Sequence, residues 1–150
     1  MKFNDLGLRE SLIRALKNSD YDEPTPVQQS TIPRIQEGKD VMATSQTGTG
    51  KTAGFVLPML ELLMSNDSKQ RKIRGLIITP TRELAAQVHA SIEKYGRYTE
   101  LKSTVVFGGV NINPQKKTLR QGVDVLVASP GRLLDLHKQQ AVDLRHVEYF

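Results

Sequence analysis

Residues 45–52 have the types and the spacing that bind a triphosphate. They read Ser-Gln-Thr-Gly-Thr-Gly-Lys-Thr and follow an apolar run at 41–44. Small residues let successive backbone N–H groups face phosphate oxygens, the lysine reaches the β- and γ-phosphates, and the hydroxyl after it suits Mg²⁺. Ser45 stands where the general pattern has glycine. The run nevertheless predicts a Walker A phosphate loop, in which Lys51 and Thr52 hold the triphosphate and the metal.

Short apolar runs alternate with helical patterns along the chain. The runs at 41–44, 76–79, 104–107 and 123–128, and another that opens at Val147, predict strands buried on both faces. Helices are predicted at 8–18, from Pro26 to near Gly38, and at 53–63, 82–98, 114–121 and 130–140. A repeated strand-then-helix order predicts a parallel α/β sheet, with its strand-to-helix loops together at one end, where ligands bind.

Composition narrows the class of protein. The 150 residues carry 21 Lys and Arg against 16 Asp and Glu, and the net charge of +5 fits a polyanionic partner without requiring one. There are no cysteines, which excludes disulfides, and the three histidines lack metal-ligand spacing. The start has no secretion signal, and the most apolar stretch, 55–64, is too short to span a bilayer. We expect a soluble, cytoplasmic protein with no membrane contact.

The next three predicted strands each end in an unusual loop. Pro80-Thr81-Arg82-Glu83 follows the first, Gly108-Gly109 the second and Ser129-Pro130-Gly131-Arg132 the third. With the phosphate loop and residues 21–28, this ordered series resembles the DEAD-box RNA helicases over the whole chain, and residues 21–28 look like their Q motif. Residues 107–115 and 131–136 are most similar to the bacterial RhlE type. The resemblance implies a RecA-like P-loop domain, with a parallel sheet flanked by helices on both faces.

The resemblance also implies a site for ATP and Mg²⁺. Gln28 would read adenine, because a side-chain amide offers one donor and one acceptor to the base. The other reading of Gln28 is a capping box with Thr25, and the two roles are compatible. Tyr21 and Phe3 would either stack near the base or fill the core beneath it. The implied nucleotide-binding residues are Tyr21, Gln28, Ser45, Gln46, Thr47, Gly48, Thr49, Gly50, Lys51 and Thr52, the last also binding Mg²⁺.

The loops that follow the other strands resemble RNA-contacting motifs. The implied RNA-binding residues are Pro80, Thr81, Arg82, Gly108, Gly109, Pro130, Gly131 and Arg132. Arginines, helix N-termini and glycines that allow close approach suit phosphates rather than base edges, so binding should be independent of sequence and sensitive to salt. The other reading is that Thr79-Pro80 and Ser129-Pro130 only begin helices. The polar, basic segment 65–72 is either a solvated linker or a further nucleic-acid contact.

The resemblance divides the chain into a Q-motif flanking region at 1–38 and the first part of a RecA-like ATP-binding domain at 39–150. The intact protein would be an ATP-dependent RNA helicase that unwinds short duplexes. The Asp-Glu-Ala-Asp run, the Ser-Ala-Thr motif and a second RecA-like domain are not among these residues. We therefore expect the 150 residues alone to be inactive, and either to self-associate or to be completed by another chain.

Two other classes of function remain open at this point. One is a non-catalytic module that binds adenine nucleotide or RNA. The other is a different P-loop enzyme, such as a small-molecule kinase, which would not bind RNA.

Overall fold

Residues 1–48, 50–66 and 70–150 are described by the computed structural model, and they fall into two units. The first unit is Met1–Asn66 with Ser91–Glu100, and the second is Asp67–Ala90 with Leu101–Phe150. Among the described residues, no helix combines the length and the apolar character needed to cross a membrane. The prediction for segment 65–72 falls partly on residues 67–69, which lie outside the described residues.

In the described residues up to 66, the first unit has a 3₁₀ turn, Phe3–Leu6, followed by three helices. They are α1 (Glu10–Lys17), α2 (Pro26–Gln36) and α3 (Lys51–Ser65). The apolar stripe predicted for α1 is confirmed, since Leu12, Ile13 and Leu16 are all buried. Phe3 is also buried, which favours its reading as a core residue.

Helices α2 and α3 approach closely at Gly54. The hydroxyl of Thr31 donates a hydrogen bond to the Gly54 carbonyl at 3.0 Å. A Cβ at position 54 would lie 2.8 Å from the Thr31 Oγ1 atom, so only glycine fits there without movement of the threonine. The absence of a side chain brings the helix that follows the phosphate loop against the helix that carries Gln28.

The second unit is built on a parallel sheet of three strands in the order β1-β3-β2. Its strands are β1 (Gly75–Ile78), β2 (Ser103–Val106) and β3 (Val125–Ala128). Helices α4 (Arg82–Tyr95), α5 (Ile112–Gln121) and α6 (Pro130–Lys138) alternate with them, and α4 ends in the first unit. The predicted α/β class with a parallel sheet is confirmed.

All four residues of β3 are buried, as the apolar run predicts, and so are all of β1 except Ile78, whereas in β2 only Val106 is buried. On one face Leu76, Leu126 and Val106 pack with Leu133 and Leu136 of α6. Side chains alternate between faces along a strand. The intervening residues Ile77, Val125 and Val127 therefore belong to the opposite face, and they are buried too.

The strand predicted at 41–44 is wrong. These residues have no regular structure, and Met42 is 97% exposed. A strand is stabilised by hydrogen bonds to a neighbouring strand, and among the described residues none pairs with this segment. An apolar run indicates that a strand is favourable, but the partner decides whether it forms.

Other boundaries differ by a few residues. The run at Val147 forms a single bridge, between Tyr149 and Gly75, in which the Leu76 N–H donates to the Tyr149 carbonyl at 2.9 Å. Helix α4 ends at Tyr95 rather than at residue 98, since Gly96 follows it, and α1 begins at Glu10 rather than at residue 8.

A buried carboxylate, Asp124, joins the chain segments that enter the three strands. It accepts hydrogen bonds from the guanidinium of Arg71, from Nη2 of Arg74 at 3.5 Å and from the backbone N–H of Lys102 at 2.9 Å. Its own N–H donates to the Lys102 carbonyl at 2.8 Å. These residues come just before β1, β2 and β3, so Asp124 fastens the amino-terminal edge of the sheet.

Candidate functional site

Helix α2 begins with the capping box that the sequence predicts. The Thr25 N–H donates to Oε1 of Gln28 at 3.0 Å, and the Gln28 N–H donates to Oγ1 of Thr25 at 3.5 Å. Pro26 occupies the first helical position, where a missing N–H costs nothing. Gln28 is only 1% exposed. The capping interpretation of Gln28 is therefore confirmed.

The same glutamine also contacts the phosphate loop. Its Nε2 donates to the carbonyl of Gly50 at 3.0 Å. An amide nitrogen has two N–H donors and an amide oxygen accepts two hydrogen bonds. Among the described residues, no further hydrogen bond uses the second donor or the second acceptor position of this amide, and recognition of an adenine edge requires one of each.

The phosphate loop turns on two glycines. Gly48 and Gly50 both have φ near +83°, a conformation that only glycine adopts readily. Gly50 is the N-cap of α3, so Lys51 and Thr52 form the first turn of a helix of 15 residues. The N–H groups of a first turn have no partner within the helix and carry partial positive charge, which suits a phosphate.

Lys51 closes the loop on itself. Its Nζ donates to the carbonyl of Ser45 at 2.5 Å, which joins the two ends of the loop. The lysine is exposed, and so are Gln46 and Thr47. The remaining predicted loop residue, Thr49, lies outside the described residues.

Tyr21 lies in an aromatic cluster of the first unit. Its ring meets Tyr95 edge to face, with centroids 6.3 Å apart, and Nζ of Lys94 lies 5.2 Å from its centroid. Burial raises the pKa of Tyr95 to about 12, and the nearby Tyr21 adds to the shift. The structure thus connects Gln28, Gly50, Lys51 and Ser45 by contacts through the loop, and places Tyr21 against Tyr95 and Lys94.

The three other loops leave the sheet at one edge. Ile78, Ala128 and Val106 share a row of the parallel register. The predicted RNA-binding residues begin two positions beyond this row on each strand, at Pro80, Pro130 and Gly108. The expected grouping of the strand-to-helix loops at one end of the sheet is confirmed for this unit.

The first loop caps α4 in a different way from the prediction. Oγ1 of Thr81 accepts from the Leu84 N–H at 3.2 Å, while the Thr79 hydroxyl donates to the Thr81 carbonyl at 3.1 Å. The cap is therefore Thr81 rather than Thr79, and Pro80 precedes the helix. At α6, Pro130 does occupy the first helical position, but Ser129 makes no side-chain capping bond.

Arg82 extends toward the glycine pair. Its guanidinium lies 5.3 Å from the centroid of the Phe107 ring. A Cβ on Gly109 would lie 2.9 Å from Nη1 of Arg82, and Gly109 has φ near +81°. The first and second loops therefore meet, with the cation beside the turn.

Arg132 of the third loop contacts the same turn. Its Nη2 donates to the Val110 carbonyl and its Nη1 to Oε1 of Gln115, both at 2.9 Å. Nε2 of Gln115 in turn donates to the Phe107 carbonyl at 3.2 Å. The sequence motifs did not identify Gln115 as part of this site. Its partner Arg132 lies 17 positions further along the chain, so no short sequence pattern indicates the contact.

Several backbone N–H groups of these loops donate to no acceptor among the described residues. No hydrogen bond within the described part of the chain uses the N–H of Gly108, Gly109 or Val110. The N–H groups of Gly131 and Arg132 are in the first turn of α6, where a helix offers no partner. Two arginines beside such N–H groups form an arrangement that can bind anions such as phosphate groups.

Known proteins resemble this chain over almost its whole length. A model of the DEAD/DEAH box helicase family matches residues 25–150. The ATP-dependent RNA helicase CshA of Limosilactobacillus reuteri is 45% identical over 148 residues, which are 99% of this chain and 29% of that protein. The DEAD-box ATP-dependent RNA helicase RhpA of Helicobacter pylori is 42% identical over 140 residues, or 93% of this chain and 28% of the relative.

A third relative is the DEAD-box ATP-dependent RNA helicase CshA of Streptococcus pneumoniae, which is 43% identical over 148 residues. This match covers 99% of the chain and 28% of the relative. The chain therefore spans less than a third of the length of the relatives that it matches. Because the family model matches all of residues 25–150, the chain belongs to the DEAD/DEAH box helicase family.

Proposed function

We propose that the intact protein is an ATP-dependent RNA helicase that binds ATP and single-stranded RNA and unwinds short RNA duplexes. The observation that carries this proposal is the hydrogen bond from Gln28 to the Gly50 carbonyl, at 3.0 Å. It connects a base-reading amide to the residue that precedes Lys51. A polar group placed for the base and a loop placed for the phosphates are the two parts that recognition of ATP needs.

The roles in the nucleotide site follow from the chemistry of each group. The Lys51 ammonium would bind the β- and γ-phosphates, and the N–H groups at the start of α3 would stabilise their negative charge. A hydroxyl oxygen is a ligand that Mg²⁺ accepts, and no hydrogen bond of the described residues uses the Thr52 hydroxyl. Bound Mg²⁺ would supply neutralisation of the phosphate charge. Gln28 would read adenine.

Nucleotide selectivity tests this site. We expect Gln28→Ala to weaken ATP binding by about tenfold or more, which corresponds to the loss of about 1.4 kcal/mol, and to abolish the preference for ATP over GTP. Calorimetric titration of the 150-residue protein with each nucleotide and Mg²⁺ would measure both effects. Thr25→Ala is the matched control, since it removes the cap of α2 and keeps the amide. Unchanged selectivity in Gln28→Ala would contradict the assignment.

For RNA, we propose that the edge formed by the three loops binds the phosphate backbone. Arg82, Arg132 and the N–H groups of Gly108, Gly109 and Gly131 would supply the contacts, together with Pro80, Thr81 and Pro130. None of these groups is suited to distinguish one base from another. Binding should therefore be similar for single strands of different sequence and should weaken as the salt concentration rises.

Adding one methyl group at position 131 is expected to raise stability and to weaken RNA binding. A Cβ on Gly131 would meet no atom within 4 Å, so Gly131→Ala has room in the free protein. We expect the free energy of unfolding of Gly131→Ala to rise by about 0.5–1 kcal/mol, because alanine is a better helix former than glycine. RNA affinity should fall about tenfold, because the methyl narrows the approach to the first turn of α6.

Thermal unfolding and fluorescence anisotropy with a labelled single strand would measure the two effects of Gly131→Ala. Gln139→Ala, at the other end of α6, serves as the control. A variant that is more stable and binds RNA as well as the original protein would exclude the first turn of α6 from the RNA site.

Finer assignments are part of the same proposal. Residues 107–115 and 131–136 support an RhlE-like subtype, and residues 1–38 and 39–150 would be the flanking region and the first part of the ATP-binding domain. The 150 residues contain no Asp-Glu-Ala-Asp run, which in this family supplies the acidic groups for hydrolysis. We propose that they bind ATP without turning it over on their own, and that they self-associate or are completed by another chain.

A further inference from the structure

The turn at Gly108-Gly109 is held at both ends by side chains from two helices. The carbonyl that precedes the turn, on Phe107, accepts from Nε2 of Gln115 at 3.2 Å. The carbonyl that follows it, on Val110, accepts from Nη2 of Arg132 at 2.9 Å. A third bond, from Nη1 of Arg132 to Oε1 of Gln115 at 2.9 Å, closes the ring.

This ring restrains a segment that has few other restraints. Glycine has no side chain to anchor it and samples more conformations than any other residue. Gly109 moreover adopts φ near +81°, and Gly109 and Val110 are exposed. The two side chains that hold the turn come from α5 and α6. Both helices pack on the sheet, through Ile112 and Leu119 for α5 and through Leu133 and Leu136 for α6. The position of the turn is therefore set by the core.

The ring also fixes Arg132. A guanidinium presents five N–H donors in a rigid plane, and two of its nitrogens are used here on acceptors that belong to different segments. The plane can then rotate little about its bonds, and the donors that remain keep a constant direction. A lysine at this position has one nitrogen and could not hold both acceptors in the same geometry.

We propose that Gln115 is a positioning residue of the RNA site. It holds the N–H groups of Gly108 and Gly109 and the guanidinium of Arg132 in the orientation that binds phosphate. Gln115 itself need not touch RNA. This inference rests on the RNA-binding part of the proposed function, and it adds a residue whose effect passes through Arg132 and the turn.

The test compares Gln115→Met, which keeps the volume and removes both hydrogen bonds, with Gln121→Ala in the same helix. The probe is a labelled uridine oligonucleotide, followed by fluorescence anisotropy with the 150-residue protein. We expect Gln115→Met to raise the dissociation constant about tenfold and to leave ATP affinity unchanged, whereas Gln121→Ala should change neither. A Gln115→Met variant that binds the oligonucleotide like the original protein would overturn the proposal.

A double-mutant cycle separates positioning from independent contact. If Gln115 acts through Arg132, Gln115→Met should weaken binding much less in an Arg132→Ala background than alone. Two effects that multiply would show that Gln115 acts independently of Arg132 and would overturn the proposal.

Nuclear magnetic resonance of the protein without RNA distinguishes a failure of this inference from a failure of the proposed function. Gln115→Met should shift and broaden the N–H signals of Gly108 and Gly109, and should leave that of Gly54 in the first unit unchanged. If the original protein does not bind the oligonucleotide, the proposed RNA binding by this edge is wrong, and the glycine signals still decide whether Gln115 holds the turn. Glycine signals that do not respond overturn the inference in either case.

Discussion

Asp124→Ala should lower the free energy of unfolding by about 3–5 kcal/mol, because it removes one partner of a buried ion pair. The Arg74 side chain is 6% exposed, so its charge would lose the nearby carboxylate without gaining much water. The Lys102 N–H and the guanidinium of Arg71 would lose the same acceptor. Urea unfolding followed by circular dichroism measures the change, with the slope of the transition as a check on two-state behaviour.

Asp143→Ala is the matched control for that experiment. Hydrogen bonds from Arg145 hold the pKa of the Asp143 carboxyl below its usual range. This ion pair, unlike that of Asp124, is exposed to solvent. Exposed pairs contribute little to stability, so the control should unfold almost like the original protein at neutral pH. If Asp124→Ala lowers the free energy of unfolding by less than about 1 kcal/mol, the contacts of Asp124 at the amino-terminal sheet edge are not important for stability.

Of the alanine substitutions at the two glycines of the phosphate loop, Gly50→Ala should lower stability the most. The new Cβ would lie 2.2 Å from Nε2 of Gln28, so the amide would have to leave the Gly50 carbonyl. The positive φ adds a cost of about 1–2 kcal/mol for any residue that carries a Cβ. Overpacking of this kind costs about 1–3 kcal/mol more.

Gly48→Ala is the control that separates the steric clash with Gln28 from the cost of the positive φ angle. Gly48 has the same φ, near +83°, but a Cβ there would meet no atom within 4 Å. We expect both variants to lose stability in thermal unfolding, with the larger loss in Gly50→Ala by about 1–3 kcal/mol. Equal losses would mean that Gln28 moves aside freely, and that its hydrogen bond to the loop contributes little.

Local signals in the sequence predicted the start of α2 and the small, glycine-rich composition of the loop before α3. The N-cap Thr25 and the proline after it mark the start of α2, and the capping box that includes Gln28 forms as its spacing indicates. Glycines at positions 48 and 50 adopt a left-handed conformation, which glycine accepts more readily than other residues. In each case the responsible residues are neighbours in the chain, so the physical cause can be read from a short window.

Features that depend on distant partners could not be predicted in this way. The apolar run at 41–44 has the composition of a strand, but composition does not supply a neighbouring strand. Asp124 is one acidic residue among many until folding brings Arg71, Arg74 and Lys102 to it. Gln115 has no local pattern that distinguishes it from other helical glutamines, because its role depends on Arg132 and on two backbone carbonyls.

If RNA binds at this edge as proposed, the strand order β1-β3-β2 sets the order in which it meets the three loops. Parallel strands lie about 4.8 Å apart, so the outer two of the three loops leave the sheet about 10 Å from each other. With a rise of about 3.4 Å per nucleotide, this unit would have a footprint of about three nucleotides. The loop that comes last in the chain, at 130–132, leaves the central strand. A polynucleotide crossing the edge from β1 would therefore meet it second, before the glycine turn, so that the order of contacts differs from the order of the sequence.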